Sequence, residues 1–422
     1  MKLVRPRALA GALSCAAIGL SVAACGSSSS SSSSGAGGSS PSASANAALT
    51  QSAGKPTNGP AAALPSALAS QYVGLPTAPS TSVYEHFAAV KKPWKVCYSE
   101  SYQGNPWRVA LANDMKAMAQ QYEKAGLVSG FTMTVSDNDV ARQDQQIRQF
   151  VQQGCSIIFS VAGSATGLNS AIAYAYQKGI PFVTMAGSVT SPDAVNVDSN
   201  YYVLGQELGK VTGQVGNVLM VKGIAGEPIA SLENEGAQKA WSSMGTNVVD
   251  QVYGDWTPST TKAAVLTALT THPGDIGAVW STGSESAEIA QAFAQAGRKA
   301  PLITSSISGD ALGYWKAHPS FRFAGVNIAP SWTAETGWRV GMRTLAGDGP
   351  KIDPIMVPIP TVTQADLPSL YKPCMTPTSS SVFPVSPKDP LPTKLMNAYF
   401  SKPGEVGPYS YADMPAVCGS GS

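Results

Sequence analysis

Histidine is scarce in this chain, with His86, His272 and His318 the only three in 422 residues. His272 and His318 each precede a proline, which is a turn setting rather than a catalytic one. The HExxH pattern of zinc hydrolases, a Walker loop and the Gly-x-Ser-x-Gly nucleophile elbow are all missing. Gly283-Ser284-Glu285-Ser286 contains serines but not that elbow's spacing. Charge is sparse as well: 13% of residues are charged and the formal net charge is +2. With no basic stripe, a nucleic-acid or polyanion partner has no electrostatic support. No apolar run beyond the N-terminus is long enough to span a bilayer. These absences argue against an enzyme, and nothing calls for a cofactor or a metal.

What is present begins with a compartment signal. Lys2, Arg5 and Arg7 form a positive start, an apolar run follows from Ala8, and Val22-Ala23-Ala24-Cys25 ends it. Small residues before a cut are what a signal peptidase needs. A cysteine at the cut resembles the lipobox of bacterial lipoproteins, which implies a leader over 1–24 and lipidation of Cys25. Gly26–Ser40 is wholly Ser, Gly and Ala, and the chain stays Ala-, Pro- and Ser-rich to about Ala69. Such a composition cannot bury enough surface to fold, so residues 25–82 read as a flexible tether. The chain from Val83 onward is too long for one typical core and suits two lobes.

Of six cysteines, Cys15 would leave with the leader. Cys374 and Cys418 lie in a Pro-rich C-terminal segment, where a disulfide would staple the tail in an oxidising compartment. Cys97 and Cys155 lie in or beside apolar runs and read as buried free thiols acting as small apolar residues.

The fold class is written most clearly in Asp139–Ala186. A helical pattern with Ile147, Phe150 and Val151 on one face stops at Gly154, and the apolar run Cys155–Val161 follows. A second helical pattern, Leu168–Gln177, stops at Gly179, and Ile180–Met185 is again apolar. Glycine after a periodic segment ends a helix, and short apolar runs suit buried parallel strands. This is the βαβ grammar of an open α/β sheet, whose ligands sit at the carboxyl ends of the strands. The turns Ser160–Gly163 and Ala186–Ser188 are therefore the first places to look for function. Strands are expected at Trp94–Ser99, Gly130–Val135, Val218–Lys222, Val248–Tyr253, Ala278–Ser281, Leu302–Ser305 and Phe323–Asn327. Helices are expected at Trp107–Glu123, Leu204–Val215, Leu232–Met244, Thr260–Thr271, Ala287–Ala296 and Ala334–Leu345, with an extended crossing at Asn196–Asn200. The alternation runs twice, with a seam near residue 199.

Several short blocks, in order, resemble the sugar-type periplasmic binding proteins of ABC importers, the ribose/galactose-binding group, from Trp94 to about Thr363. They are Asn105-Pro106-Trp107-Arg108, Gln153-Gly154, Gly179-Ile180-Pro181-Phe182-Val183-Thr184, Gly223-Ile224-Ala225-Gly226, Gly254-Asp255-Trp256, and Thr271-His272-Pro273 followed by Ile276-Gly277-Ala278-Val279. The resemblance implies an α/β, two-lobed type I periplasmic-binding fold, each lobe a mainly parallel sheet flanked by helices. The lobes would be 83–198 with 329–350, and 199–328 with 351–365. Three hinge crossings are placed near Asn196–Asn200, Asn327–Pro330 and Pro350–Ile352, and 366–422 is an extension with no functional reading. A ligand would lie between the lobes and close them.

The same resemblance points to site residues. Trp107 and Trp256 align with stacking aromatics, and Asn105 and Arg108 with the first loop. Glu100 and Ser160 follow strands. The family's charged set is altered: Ala186-Gly187 replaces an Asp-Arg pair, Glu233 an arginine, Gly283 an asparagine (with Thr282, Ser284 and Glu285 close by), Ser306 an aspartate, and Asn327 stands near a glutamine. The implied function is a monomeric, lipid-anchored solute-binding protein on the outer face of the bacterial membrane. It would deliver a small polar ligand, a sugar or polyol, to a permease and ATPase complex. Two alternatives stay open: signalling to a membrane sensor, and, because of Glu100 and Glu233, an amine-bearing ligand.

Overall fold

The computed structural model describes residues 59–75, 77–411 and 418. The leader, Cys25 and most of the tether lie outside them.

Two six-stranded sheets organise the described residues. The N-terminal sheet contains β2 (Trp94–Glu100), β3 (Val128–Val135), β4 (Ile157–Val161), β5 (Phe182–Met185), β6 (Val195–Asp198) and β13 (Ile355–Met356), in the order β13-β6-β5-β4-β2-β3. Every pairing in it is parallel. The C-terminal sheet contains β7 (Val218–Lys222), β8 (Val248–Tyr253), β9 (Ala278–Trp280), β10 (Leu302–Ser306), β11 (Arg322–Val326) and β14 (Thr361–Val362), in the order β14-β11-β10-β9-β7-β8. Only β14 runs antiparallel. β1 (Ser80–Thr81) and β12 (Ile352–Asp353) form a separate short ribbon. The central strands are mainly apolar and almost wholly buried, as sheets covered on both faces require.

The helices that cover the sheets start where the sequence places caps. α1 (Pro106–Lys124) opens on Asn105, whose side chain accepts from Arg108 N–H at 2.9 Å, with Pro106 in the first turn. Its inward face is Leu111, Met115, Met118 and Tyr122. α2 (Val140–Gln152) and α3 (Asn169–Gln177) follow in the same lobe, with Asp139 capping α2. The second lobe holds α4 (Tyr201–Gly213), α5 (Pro228–Met244), α6 (Pro258–Thr271), α7 (Ser286–Gln295) and α8 (Gly309–Ala317). α9 (Pro330–Leu345) returns to the first lobe, where Trp338 stacks on Tyr122 at 5.0 Å and tilts against Phe159 at 5.2 Å. α4 and α5 meet at backbone distance. A Cβ on Gly205 would strike the Glu233 backbone, and one on Gly236 the Tyr202 carbonyl. These two glycines set the position of Glu233 at the inner end of the lobe.

The chain crosses between lobes at Ser199–Asn200, at 327–329 and at 357–360. The third crossing therefore lies past the position expected near Pro350–Ile352. Residues 351–356 stay with the first lobe because β13 pairs with β6, Ile355 opposite Val197. Asn196–Asn200, read as an extended crossing, divides into strand β6 and a short link. Helix α8 was not anticipated, because Gly309 and Gly313 dilute its periodicity.

Cys97 and Cys155 form a disulfide with Cα atoms 6.0 Å apart, correcting the reading of two free thiols. Cys97 lies in β2 and Cys155 just before β4, its neighbour in the sheet, so adjacency of the two strands brings the sulfurs together. Cys374 and Cys418 are also bonded, with Cα atoms 6.1 Å apart.

Both tails dock. Within the expected tether, Leu68 and Tyr72 are buried, Tyr72 Oη donates to the Pro354 carbonyl at 2.5 Å, and Asn200 Nδ2 donates to the Gln71 and Val73 carbonyls. The flexible reading of 25–82 thus fails for this last stretch. The extension packs first on the second lobe through Leu367, Leu370 and Met375, with Gly309 N–H donating to the Val382 carbonyl at 2.7 Å. It then crosses to the first lobe, whose core takes up Leu391, Met396, Tyr399 and Phe400. There Arg339, almost fully buried, pairs with Glu405, and Arg343 pairs with Asp348 at 2.9 Å.

Candidate functional site

The carboxyl ends of the two sheets face each other across a cleft. Open α/β sheets bind ligands at these strand ends, where loops are free of the ladder. A second hollow, lined by Ser101, Asn138, Ala162–Thr166 and Ile224–Pro228, adjoins it and shares Asn105, Arg108 and Trp256 with it.

The first lobe contributes the loop after β2 and the start of α1. Trp107 forms one wall, fixed by its indole N–H donating to the Ile328 carbonyl at 2.8 Å, which ties α1 to the second crossing. Asn105 and Arg108 line the cleft beside it. Behind them Glu100, fully buried, accepts from Arg108 Nη1 at 3.1 Å and from Tyr98 Oη. Burial pushes the Glu100 carboxyl up, while Arg108 and the Tyr98 hydroxyl pull it down. Arg108 thus enters the cleft with its charge already matched.

The second lobe contributes the opposite wall. β8 is followed by Gly254-Asp255-Trp256, and both Asp255 (φ 53°) and Trp256 (φ 48°) are left-handed. That conformation is unusual for a bulky residue. It is held because the indole lies in a slot without side chains: a Cβ on Gly223 would strike its ring, and one on Gly283 would meet its Cδ1 at 2.6 Å. From the ring, a relay runs inward. Trp256 Nε1 donates to Thr282 Oγ1 at 3.4 Å, and Thr282 donates to Glu233 Oε2 at 2.5 Å. Glu233 and Glu285 line the cleft with almost no solvent exposure. Burial raises both carboxyls. Glu233 is lowered by the Thr282 hydroxyl and raised further by Glu227 and Glu285. Glu285 stands at about 8, with Glu288 and Asp310 adding to the effect of burial. Ser306 Oγ and Glu285 Oε1 are buried with no hydrogen-bond partner among the described residues.

Seven of the ten residues picked from sequence therefore line one cleft: Asn105, Trp107, Arg108, Glu233, Trp256, Gly283 and Ser306. Three do not. Glu100 sits behind Arg108. Ser160 is fully buried, its Oγ donating to the Ser99 carbonyl at 3.1 Å and accepting from Gln143, so it ties strands together. Asn327 lines a separate hollow with Pro360, Thr361, Asp366 and Lys388, because the third crossing passes over it. Ala186, in the turn after β5, does reach the cleft. Thr282, Ser284 and Glu285 reach it too, and their place beside Gly283 was the signal for them. Tyr201, Ile229 and Ile328 also line it. They carry no signal in the sequence, being apolar starts of helices or crossings like many others.

The arrangement offers two aromatic walls, hydroxyls and carboxyls. Among the described residues no group of three or more His, Cys, Asp or Glu is placed to hold a metal. Such a cleft orients and encloses a small molecule.

Residues 96–347 match the periplasmic binding protein domain family, more than half of the chain. The ribose import binding protein of Salmonella typhimurium is 24% identical over 251 residues, 58% of this chain and 82% of that protein. Its counterpart in Haemophilus influenzae is 26% identical over 207 residues, 47% of this chain and 68% of that protein. Among solved structures, an ABC transporter solute binding protein of Thermobispora bispora superposes with a TM-score of 0.59 at 23% identity, covering 67% of this chain and 90% of that one. One from Mycobacterium smegmatis with bound glycerol gives 0.59 at 19%, covering 70% and 100%. The chain belongs to the periplasmic binding protein family: it has the two-lobed type I fold and binds a solute without transforming it.

Proposed function

We propose that this protein captures a sugar or polyol between its lobes, closes on it about the three crossings, and delivers it to the permease of an ABC importer. The observation that carries the reading is the pairing of Trp107 and Trp256, one from each lobe, across a cleft edged by hydrogen-bonding groups. Aromatic faces cover the C–H patches of a sugar ring while polar side chains meet its hydroxyls. Each neutral hydrogen bond nets about 1 kcal/mol, and discrimination comes from partners left unsatisfied by the wrong ligand. Similar proteins support the ligand class: the Salmonella relative is named for ribose import, and solved structures of the same fold hold D-allose and myo-inositol. The leader pattern ending at Cys25 supports a lipid anchor on the outer face of the membrane. Two disulfides suit the same oxidising side.

A thermal-melting screen against pentoses, hexoses, polyols and amino acids tests the reading. A ligand that binds only the folded chain raises the melting temperature by mass action. A sugar or polyol is expected to give the largest rise; a rise with amino acids alone would overturn the ligand class. For the anchor, Cys25→Ser is expected to release the protein from membranes, and unchanged membrane partition would refute lipidation.

A further inference from the structure

The ionisable groups of the cleft are unbalanced. Among the described residues its one cation is Arg108, already matched by Glu100 at 3.1 Å. The inner acids have no such partner among those residues. Glu233 is held only by the Thr282 hydroxyl, and Oε1 of Glu285 meets nothing among the described residues. Both are nearly fully buried, yet both form part of the cleft wall, beside the Trp256 ring and close to Tyr201. Glu285 reaches the cleft past Gly283, whose missing side chain leaves room for its Oε2.

Two buried carboxyls without a cation are costly unless something completes them. The surrounding acids worsen the imbalance: Glu227 raises Glu233, and Glu288 and Asp310 raise Glu285. An incoming ammonium would supply the missing charge, and aromatic faces at the same place attract cations as well as C–H patches. A purely neutral ligand would leave Oε1 of Glu285 without a partner, whereas an ammonium would also draw off the proton that burial keeps on this carboxyl.

Resting on the sugar or polyol reading above, we infer that the natural ligand is a hydroxylated ring or chain carrying one ammonium group, of the amino-sugar or amino-polyol class. Its hydroxylated body lies between Trp107 and Trp256, and its ammonium sits between Glu233 and Glu285.

The test is calorimetric titration of the protein near neutral pH with glucosamine and galactosamine, their parent hexoses, their N-acetyl derivatives, and putrescine as a cation without hydroxyls. At least one amino sugar is expected to bind about tenfold or more tightly than both its parent hexose and its N-acetyl form, the difference between a charge-assisted and a neutral hydrogen bond. Glu233→Gln and Glu285→Gln keep the shape and the hydrogen-bonding capacity but remove the charge. Each is expected to narrow that preference to less than about threefold. Melting curves of the two ligand-free variants, expected at or above the wild-type temperature, show that the fold is intact. Equal or tighter binding of a neutral hexose would overturn this inference and leave the sugar reading standing, as would an amine preference that survives both substitutions. Binding of putrescine but of no sugar would overturn the sugar reading and with it the amino-sugar class. Binding of nothing in the panel would overturn both.

Discussion

Trp256 gives the sharpest test, because two opposing effects meet in one residue. Its ring forms a wall of the cleft, while its backbone sits at φ 48°. A left-handed conformation costs an L-residue roughly 1–2 kcal/mol, and glycine almost nothing. Consider Trp256→Ala and Trp256→Gly. Both lose the aromatic face, so ligand affinity should fall at least about tenfold, or about 1.4 kcal/mol. Stability should separate the two. In ordinary elements alanine is more stable than glycine by about 0.5–1 kcal/mol. Here the order should invert, with Trp256→Gly the more stable by about 1 kcal/mol. Relative to wild type, Trp256→Ala loses the packing of a half-buried ring on Gly223 and Gly283 and keeps the strained backbone. Urea unfolding gives the stability order, and calorimetry with the best ligand from the screen gives the affinity. Alanine more stable than glycine would refute the strain argument. Wild-type affinity in both variants would remove Trp256 from the site.

Glu285 makes a pH prediction. Its folded-state value of about 8 lies above that of an exposed carboxyl, so the folded chain holds a proton that the unfolded chain releases as pH rises past the ordinary range. Stability is then lost with rising pH up to about 8, by an amount on the order of 4–5 kcal/mol. Glu285→Gln should erase this loss, and its melting-temperature advantage over wild type should grow between pH 5 and pH 8; a constant difference would refute the assignment. Glu405→Ala should cost about 3 kcal/mol in chemical denaturation by stranding the buried Arg339. Its companion Glu335, raised to about 8 by burial, should ionise in response, so adding Glu335→Gln should cost more than the same change in wild type. Replacing Cys97 and Cys155 together by alanine should lower stability by up to roughly 4 kcal/mol, given the 58-residue separation they close. An unchanged denaturation midpoint would show that the sheet alone holds that edge.

The fold class and most of the element order were legible along the chain because parallel strands and their helices are local, one-dimensional signals. Ile147, Phe150 and Val151 mark a helix face, Gly154 ends the helix, and Ile157–Val161 is a strand buried on both faces. The caps Asn105 and Asp139, and the prolines that open α1 and α5, are equally local. Trp107, Arg108 and Trp256 were accessible too, through their resemblance to the loops and stacking aromatics of the sugar-binding family, and all three line the cleft.

Other features depend on distance in sequence but not in space. Cys97 and Cys155 are partners only because β2 and β4 are neighbours in the sheet. Glu100 and Ser160 follow the strand-end rule as well as any residue, yet each is turned inward by a partner elsewhere, Arg108 and Gln143. The third crossing is set by a two-residue pairing of β13 with β6. The extension, rich in proline and poor in periodicity, becomes ordered only against surfaces that both lobes provide. By itself the sequence determined the elements, their order and the strand ends that form the cleft. Tertiary structure decided which side chains face that cleft, because burial and hydrogen-bond partners arise only when distant segments meet.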